Sequence, residues 1–337
     1  MKVKFIFCFI SIIFSSCSNH KMHETIIESF PIEGNLNAQI IKIKPVAMNP
    51  SYILNTGNYL ILYNPQKDTL FDVFKLPSLT WIYNKGIKGQ GPNDFLELEK
   101  RSFTSTPYGF KVFSQYDQKI KEILISDSTL LINDKNSIKY NIDEIPVNGL
   151  LSVNDSTIIY WGNIDSKNEY ILHNNNSKKE FSPYPHWDKK SNKNEPPIFK
   201  YVKNSTLNQD HSKYISFYGY FKRLRIYNND GTMIKDILVK KEPFKDEIKE
   251  NLNERIIYYY SPPQIANDYI YILCKNSTRE ENINPELQIW DWDGNPIACY
   301  QMDHQISLFT ISTIYNKIYA IDGENEGNIY IYDLLHR

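Results

Sequence analysis

The amino-acid sequence predicts an all-β protein, a single six-bladed β-propeller built from four-stranded antiparallel blades. A short apolar strand recurs six times, and its copies start at residues 59, 110, 158, 214, 269 and 318, which are 51, 48, 56, 55 and 49 positions apart. A period near fifty that holds about four short strands is typical of propellers. Aromatic residues make up 14% of the chain, with 25 Tyr, and their rings pack well on pleated sheets.

The copies and the turns between them locate individual strands. Tyr59-Leu60-Ile61-Leu62-Tyr63 is continuously apolar, as expected for a strand that packs on both faces between neighbouring blades. Asp230-Gly231 and Asp293-Gly294 each separate two apolar runs, which is a strong hairpin signal. These two turns divide the third strand from the fourth in two periods, predicted at residues 224–227 and 233–239, and at 287–291 and 296–302.

The last period lacks a fourth strand. Only residues 309–314, 318–321 and 329–332 look like strands before the chain ends. An open position would leave unpaired backbone on a sheet edge. Two apolar groups near the start of the domain, Ile26-Ile27 and Ile40-Ile41-x-Ile43, could each fill it. We therefore expect an N-terminal strand to close the ring.

Helix is scarce in the sequence. Residues 243–255 place Phe244, Ile248 and Leu252 four apart, which predicts one amphipathic helix on the surface between blades 4 and 5. This segment is one of three long links between blades, at about residues 85–101, 183–200 and 240–255. Long loops on a rigid scaffold are where binding usually occurs.

The N-terminus has the features of an export signal. Lys2 and Lys4 precede an apolar run over residues 5–14, which is too short for a permanent membrane span. The run ends in Phe14-Ser15-Ser16-Cys17, which resembles the bacterial lipobox, in which the Cys receives diacylglycerol. We expect a lipoprotein signal peptide at residues 1–16, a lipidated tether at 17–23 and one propeller domain at 24–337. An ordinary cleaved signal with an incidental Cys is the alternative.

Charge and cysteine content narrow the class of protein. Loss of residues 1–16 removes two lysines and takes the net charge from −1 to −3, which offers no electrostatic basis for binding nucleic acid. Cys274 and Cys299 fall on non-adjacent predicted strands of one blade, about 10 Å apart, so we expect two buried free thiols. An oxidising compartment would permit a disulfide, but no Cys-x-x-Cys pair exists in the chain.

A glycine-rich motif after the first blade carries a family resemblance. Residues 86–95 contain Gly-x-Gly-Pro-x-(Glu/Asp)-Phe, formed by Gly89, Gly91, Pro92, Asp94 and Phe95. It resembles an element of Bacteroidota lipoproteins that are six-bladed propellers of the TolB-like or NHL-like kind, and residues 290–296 resemble their late hairpin. The resemblance implies a propeller in the cell envelope and no particular substrate. The motif lacks the Gly-Lys-Ser/Thr ending of a P-loop, so we expect a tight inter-blade turn with Phe95 as a plug.

Other motifs give no catalytic or metal signature. Asp291-x-Asp293-Gly294-Asn295 suggests a calcium loop, but Pro296 and Met302 occupy the places of the required Gly and acid, so a hairpin turn is favoured. The histidines show no metal-ligand spacing, and no Gly-x-Ser-x-Gly elbow occurs. We expect no metal site and no cofactor. A propeller can also bring acidic side chains from different blades together at its centre, and the sequence leaves open whether this occurs.

Candidate ligand contacts fall on one face of the predicted ring. The turn after the second strand of blade 4 lies on the same face as the long inter-blade links. An aromatic and basic patch is predicted there, formed by His186, Trp187, Tyr218, Tyr220, Lys222 and Arg223. Such a patch can stack on sugar rings or hold carboxylates. The alternative is that these residues are scattered surface side chains of a Tyr-rich protein.

The sequence therefore favours a membrane-anchored, non-catalytic binding or interaction module whose partner is a glycan, a peptide or an envelope protein. A hydrolase or lyase acting on glycans or peptides is the alternative, and two acids with a His at the centre of the ring would favour it. A protein that docks other envelope proteins is a third hypothesis, from fold analogy alone. In the Bacteroidota lipoproteins that this chain resembles, an acidic cluster after the lipidated Cys often accompanies export to the cell surface. No such cluster follows Cys17, so we expect a periplasm-facing position.

Overall fold

The computed structural model of the protein describes residues 24–45, 49–91, 93–143, 145–174, 177–187, 195–245 and 248–335. The predicted signal peptide, the predicted tether with its expected lipidation site Cys17, and Pro92 of the glycine-rich motif lie outside these residues. The described residues form six β-sheets that follow one another along the chain, and each sheet is one blade. The prediction of a six-bladed propeller is confirmed.

Three N-terminal strands precede the first blade: β1 (Thr25–Ile27), β2 (Ile32–Leu36) and β3 (Gln39–Lys42). Blade 1 contains β4 (Tyr52–Thr56), β5 (Tyr59–Tyr63), β6 (Thr69–Lys75) and β7 (Thr80–Ile87). Blade 2 contains β8 (Thr104–Thr106), β9 (Gly109–Ser114), β10 (Lys119–Ile125), β11 (Leu130–Ile132) and β12 (Ile138–Lys139). Both β11 and β12 pair with β10 and share its outer edge.

Blade 3 contains β13 (Leu151–Asn154), β14 (Thr157–Trp161), β15 (Asn168–Asn174) and β16 (Ser177–Pro183). Blade 4 contains β17 (Lys203–Leu207), β18 (Lys213–Tyr218), β19 (Arg223–Asn228) and β20 (Met233–Val239). Blade 5 contains β21 (Ile257–Tyr259), β22 (Gln264–Ala266), β23 (Tyr269–Ser277), β24 (Glu286–Trp290) and β25 (Pro296–Met302). Blade 6 contains β26 (Ile306–Ser312), β27 (Lys317–Asp322) and β28 (Asn328–Asp333). One short helix, α1 (Pro197–Lys200), lies between blades 3 and 4.

The first strand of each blade lies nearest the centre of the ring. Strand β4 contacts both β8 and β26, and β13 contacts β17, so neighbouring inner strands touch. Large apolar clusters fill the junctions between blades, for example where Leu60 of blade 1 packs with Tyr319 of blade 6. We call the face that carries the inter-blade links and the turns between second and third strands the upper face, and the opposite one the lower face.

The N-terminal segment closes the ring and also extends two other blades. Strand β3 pairs antiparallel with β28 as the missing fourth strand of blade 6, which confirms the predicted closure. The other apolar group, Ile26-Ile27, does not pair there. It lies in β1, which runs parallel to β20 at the outer edge of blade 4, and β2 runs parallel to β25 of blade 5. We call residues 24–43 the strap.

Three buried side chains of the strap fall at successive junctions between blades. Phe30 packs against Trp290 between blades 4 and 5, with ring centroids 5.0 Å apart. Leu36 joins the cluster between blades 5 and 6, and Ile43 joins the one between blades 6 and 1. Each is at most 6% exposed. The strap therefore both pairs with sheet edges and fills the gaps between them.

The predicted helix at residues 243–255 is wrong. The described part of this segment contains only a 3-10 turn at Leu252–Glu254. The reason is that side chains bind its backbone: Lys222 donates to the carbonyl oxygens of Lys241 and Pro243, and Arg255 donates to that of Lys249. The three spaced apolar residues also do not share one buried face, because Ile248 is buried whereas Leu252 is 60% exposed. Across the described ranges, no helix has the length and apolar character needed to cross a membrane.

The two cysteines are expected to titrate only after unfolding. Cys274 in β23 and Cys299 in β25 are buried and free, and β24 separates them. Burial raises the pKa of Cys274 to about 12 and also raises that of Cys299. A chain that begins at residue 18 should therefore show no reactive thiol when native and two when denatured without reductant. The Cys274→Ala variant should show one, and a denatured chain with no free thiol would contradict the strand order.

Candidate functional site

A central channel of about 800 Å³ runs along the axis of the ring. Strands β4, β8, β13, β17 and β22 line it, together with the residue that follows β26. Most of its polar side chains carry a neutral hydroxyl or amide group: Ser102, Thr104, Ser105, Thr106, Ser152, Asn154, Ser205, Thr206, Asn208, Gln209, Gln264, Asn267 and Thr313. Tyr52, Phe103 and several aliphatic side chains complete the wall. This volume lies within the usual range of small-molecule sites.

The channel is polar because the first strands differ in sequence from the second strands. Strand β8 reads Thr-Ser-Thr and β17 reads Lys-Asn-Ser-Thr-Leu, whereas β5 reads Tyr-Leu-Ile-Leu-Tyr. A second strand packs against other blades on both faces and must be apolar. A first strand has a free edge on the channel, where hydroxyl and amide groups reach solvent.

Arg101 crosses the upper end of the channel. It belongs to the link between blades 1 and 2, and its Nε donates to the amide oxygen of Asn204 in blade 4 at 3.1 Å. The guanidinium carbon lies 4.8 Å from the ring centroid of Trp161 in blade 3. Asn204 in turn donates to the carbonyl oxygen of Tyr259 in blade 5. Arg101 thus connects the start of blade 2 with blades 3 and 4 directly, and with blade 5 through Asn204.

A second cavity of about 410 Å³, which we call the upper cavity, meets the channel at Arg101. It opens near the link between blades 1 and 2, and Lys88, Glu97, Glu99 and Lys100 are among its lining residues. Glu99 accepts hydrogen bonds from the backbone N–H groups of Arg101 and Gly149. Burial raises the pKa of Glu99 and lowers that of Arg101. Arg101 lines both cavities, and the buried Glu99 lies next to it.

The lower part of the channel contains two acids and a histidine. Asp155, Asp268 and His211 all line it, and both aspartates are exposed. Nδ1 of His211 lies 2.9 Å from the carbonyl oxygen of Val153, so the neutral ring donates from Nδ1 and leaves Nε2 as an acceptor. Within the ranges that the structure covers, no group of three or more His, Cys, Asp or Glu side chains could hold a metal ion.

The structure brings most of the predicted patch together on the upper face. The Trp187 ring lies 4.7 Å from the ring of Tyr218, and the guanidinium of Arg223 lies 4.7 Å from the Trp187 ring. Tyr218 is fully buried, and Lys222 and Arg223 are at most 5% exposed. His186 is exposed, and Trp187 and Tyr220 are partly exposed.

The buried members of the patch already have partners. The Tyr218 hydroxyl donates to Glu169 at 2.8 Å, Lys222 donates to the two carbonyl oxygens of the 240–255 link, and Arg223 pairs with Glu24 of the strap. Their polar groups therefore stabilise the fold. His186, Trp187 and Tyr220 are the accessible part of the patch, and ligand binding there stays a prediction.

A buried ionic cluster lies directly beneath the patch. Glu169 in blade 3 has no exposed surface and pairs with Lys203 at 3.2 Å and Arg225 at 2.9 Å in blade 4. Asp236 pairs with Arg225 at 2.8 Å and with Arg223 at 3.8 Å, and Arg223 also pairs with Glu24, so three acids balance three bases. Lys203 is also close to four aromatic rings: Trp161, Tyr170, Tyr184 and Tyr218. The cluster joins two blades, and its centre at Glu169 and Lys203 is almost completely buried.

The glycine-rich motif forms a closed turn over Asp94. A Cβ atom on Gly89 or Gly91 would lie 2.4 or 2.7 Å from a carboxylate oxygen of Asp94, so a larger residue at either position would displace this carboxylate. The backbone N–H of Gly91 donates to that carboxylate at 2.9 Å. Phe95 is 1% exposed and packs edge-on against Phe71 between blades 1 and 2.

Sequence reasoning missed Arg101 and the polar wall of the channel. Arg101 lies at the end of the 85–101 link, whose length predicts a binding loop but does not identify a particular residue. A usable signal was present in the first strands, because Thr104-Ser105-Thr106 and Ser205-Thr206 are polar where the recurring second strands are apolar. The contact between Arg101 and Asn204 could not be predicted, since it joins blades that are not adjacent.

Comparisons with known proteins agree with this architecture. A crystal structure of a member of the duf4221 family from Bacteroides vulgatus is similar, with a TM-score of 0.59, 12% identity, and 89% of this chain and 97% of that chain covered. A Bacteroides fragilis protein described as exported is also similar, with a TM-score of 0.54, 11% identity, and 93% and 100% covered. A search of curated protein sequences found no match. The family model described as TolB-like 6-blade propeller-like matches residues 30–313. That match spans most of the sequence, and the chain therefore belongs to the TolB-like six-bladed propeller family.

Proposed function

We propose that this propeller is a non-catalytic binding module that holds a glycan in its central channel. The observation that carries the proposal is the channel itself, about 800 Å³ in volume, with a wall built from all six blades. Neutral hydroxyl and amide groups dominate its polar lining. They can donate to and accept from sugar hydroxyls without the desolvation cost of a buried charge. Tyr52 and Phe103 add rings that a sugar face can pack against.

Blocking the channel is expected to abolish glycan binding. Thr104 is exposed on β8 and lines the channel, so Thr104→Trp places an indole in the space a sugar would occupy. The matched control is Thr80→Trp, since Thr80 is exposed on the outer strand of blade 1. Calorimetric titration against a panel of envelope glycans should show binding to the wild type and the control, and at least tenfold weaker binding to Thr104→Trp. Equal binding to all three would place the ligand elsewhere.

The accessible part of the upper-face patch is a second candidate contact surface. His186 is exposed beside the partly exposed rings of Trp187 and Tyr220, and aromatic rings of this kind can stack on sugars or peptides. A glycan or peptide that binds Thr104→Trp normally but loses affinity for His186→Ala would locate the binding site at the patch. Loss of affinity in Thr104→Trp alone would exclude the patch for that ligand.

An enzyme is the second candidate function, because Asp155, Asp268 and His211 line the lower part of the channel. Such a hydrolase or lyase would cut a glycan or peptide with these groups as acid and base. The test is product formation from any ligand found to bind, with Asp155→Asn and Asp268→Asn as variants. If the wild type converts the ligand and each substitution abolishes this turnover, the protein is an enzyme and the non-catalytic proposal is wrong. Binding without turnover would support the non-catalytic proposal.

We also propose that the protein is lipid-anchored in the envelope through Cys17 and faces the periplasm. The lipobox-like sequence supports the anchor, and the similar Bacteroides fragilis protein is described as exported. The Cys17→Ala variant is expected to leave the membrane fraction and keep the melting temperature of the domain, because residue 17 precedes the first strand. Fractionation with and without detergent measures this. Continued need for detergent would show that the anchor is elsewhere.

A further inference from the structure

The guanidinium of Arg101 has an edge with no acceptor among the described residues. An arginine carries five N–H donors. Among the described residues, the one acceptor for this side chain is the Asn204 amide oxygen, which lies 3.1 Å from Nε. The nearest carboxylate oxygen, on Glu99, lies 4.0 Å from Nη1, which is beyond hydrogen-bond distance. Both terminal nitrogens thus have donors to spare.

The free edge is accessible and held in place. Arg101 lines both the central channel and the upper cavity, and its side chain is 22% exposed. The Trp161 ring covers one face of the guanidinium, and Asn204 holds the Nε side. The remaining Nη1–Nη2 edge forms a flat fork of two parallel donors. This fork matches the two oxygens of a carboxylate, and the fixed orientation means that little side-chain entropy is lost on binding.

The surrounding charge also favours an anion. Three cations, Lys88, Lys100 and Arg101, line the upper cavity together with two acids, Glu97 and Glu99. Glu99 itself is mostly buried and accepts hydrogen bonds from two backbone N–H groups rather than from the guanidinium fork. A positive charge in a partly desolvated cleft attracts a ligand anion more strongly than an exposed one does.

We propose that Arg101 is an anion-recognition residue that binds the carboxylate of an acidic sugar at the upper end of the channel. The inference rests on the proposed glycan-binding function and adds the chemical class of the ligand. The Nη1–Nη2 edge takes the carboxylate, and the hydroxyl and amide groups farther along the channel take the neutral part of the glycan. A single fork suits a planar monoanion better than a phosphate, which presents three oxygens and more charge.

Titration calorimetry of the full chain with glucuronate, glucose and inorganic phosphate at low salt tests this. The wild type should bind glucuronate at least tenfold more tightly than glucose and more tightly than phosphate. Arg101→Gln should reduce glucuronate affinity to that of glucose and leave glucose unchanged. Arg101→Lys keeps the charge without the fork, and its glucuronate affinity should fall between the two. The matched control is Lys139→Gln, which removes an exposed cation at the outer edge of blade 2 and should change glucuronate affinity less than threefold.

Each other outcome has a distinct meaning. Equal binding of glucuronate and glucose by the wild type and Arg101→Gln would overturn the carboxylate subsite and leave the glycan function in place. Phosphate binding as tight as glucuronate would overturn the choice of a planar anion. If neither sugar binds, the glycan function fails and acetate decides the subsite: saturable acetate binding that Arg101→Gln abolishes retains it, and no acetate binding removes it. Arg101→Lys covers the case in which Arg101→Gln does not fold.

Discussion

Deletion of residues 24–44 is expected to lower the melting temperature of the protein by at least about 10 °C. The strap supplies the fourth strand of blade 6 and one additional outermost strand to each of blades 4 and 5. Removing buried Phe, Leu or Ile side chains costs roughly 2–5 kcal/mol each, so loss of Phe30, Leu36 and Ile43 alone costs about 6–15 kcal/mol. That sum is comparable to the whole free energy of unfolding of a typical domain.

A deletion of residues 18–23 is the matched control for the strap. These residues precede β1 and were expected to form a tether, so their loss should leave the melting temperature within about 2 °C of the wild type. Two point variants refine the comparison. Phe30→Ala should cost about 3–5 kcal/mol, whereas Ile32→Ala, 44% exposed on the same strap, should cost less than about 1 kcal/mol. Equal melting temperatures for the two deletions would show that the ring does not depend on the strap.

The second large effect is expected at the ionic cluster between blades 3 and 4. Glu169→Ala should lower the free energy of unfolding by about 3–5 kcal/mol, because it leaves two buried cations with less compensating charge. Lys203 and Arg225 both pair with this carboxylate, and Tyr218 donates to it. Chemical denaturation measures this change in the free energy of unfolding, provided that its slope against denaturant concentration is the same for the variant and the wild type.

Two controls test whether the large effect at Glu169 comes from a buried charge. Glu180→Gln, on the exposed neighbouring strand β16, should cost no more than about 1 kcal/mol although it contacts Ser166 and Asn168. The loss in Glu169→Ala should be nearly the same in about 0.5 M salt, because buried charges are poorly screened. A loss that disappears in salt would show that the cluster is open to solvent.

The sequence predicted the ring well because the fold depends on short-range patterns. Apolar runs and Asp-Gly turns locate strands without knowledge of distant partners, and the predicted strands 233–239 and 296–302 match β20 and β25 exactly. The helix at 243–255 failed because three spaced apolar residues do not reveal that Lys222 and Arg255 bind the backbone of the link.

The candidate site was harder to predict because it depends on long-range contacts. Tyr218, Lys222 and Arg223 were predicted to be exposed, but their burial depends on what the 183–200 link and the strap place over them. The channel is assembled from six segments spread over some 260 residues, between Tyr52 and Thr313. A residue such as Arg101 acquires its position only when the ring closes.

The attachment of the strap to blade 4 has a geometric consequence for how the molecule would stand on a membrane. Seven Cα steps separate Cys17 from Glu24, so a lipid on Cys17 could lie at most about 25 Å from the start of the strap. Glu24 pairs with Arg223, and β1 forms the outermost edge of blade 4. A lipid on Cys17, as proposed, would therefore attach the ring beside blade 4 at the rim of the upper face, where Arg223 lies. The lower mouth of the channel would then lie on the side away from the point of attachment.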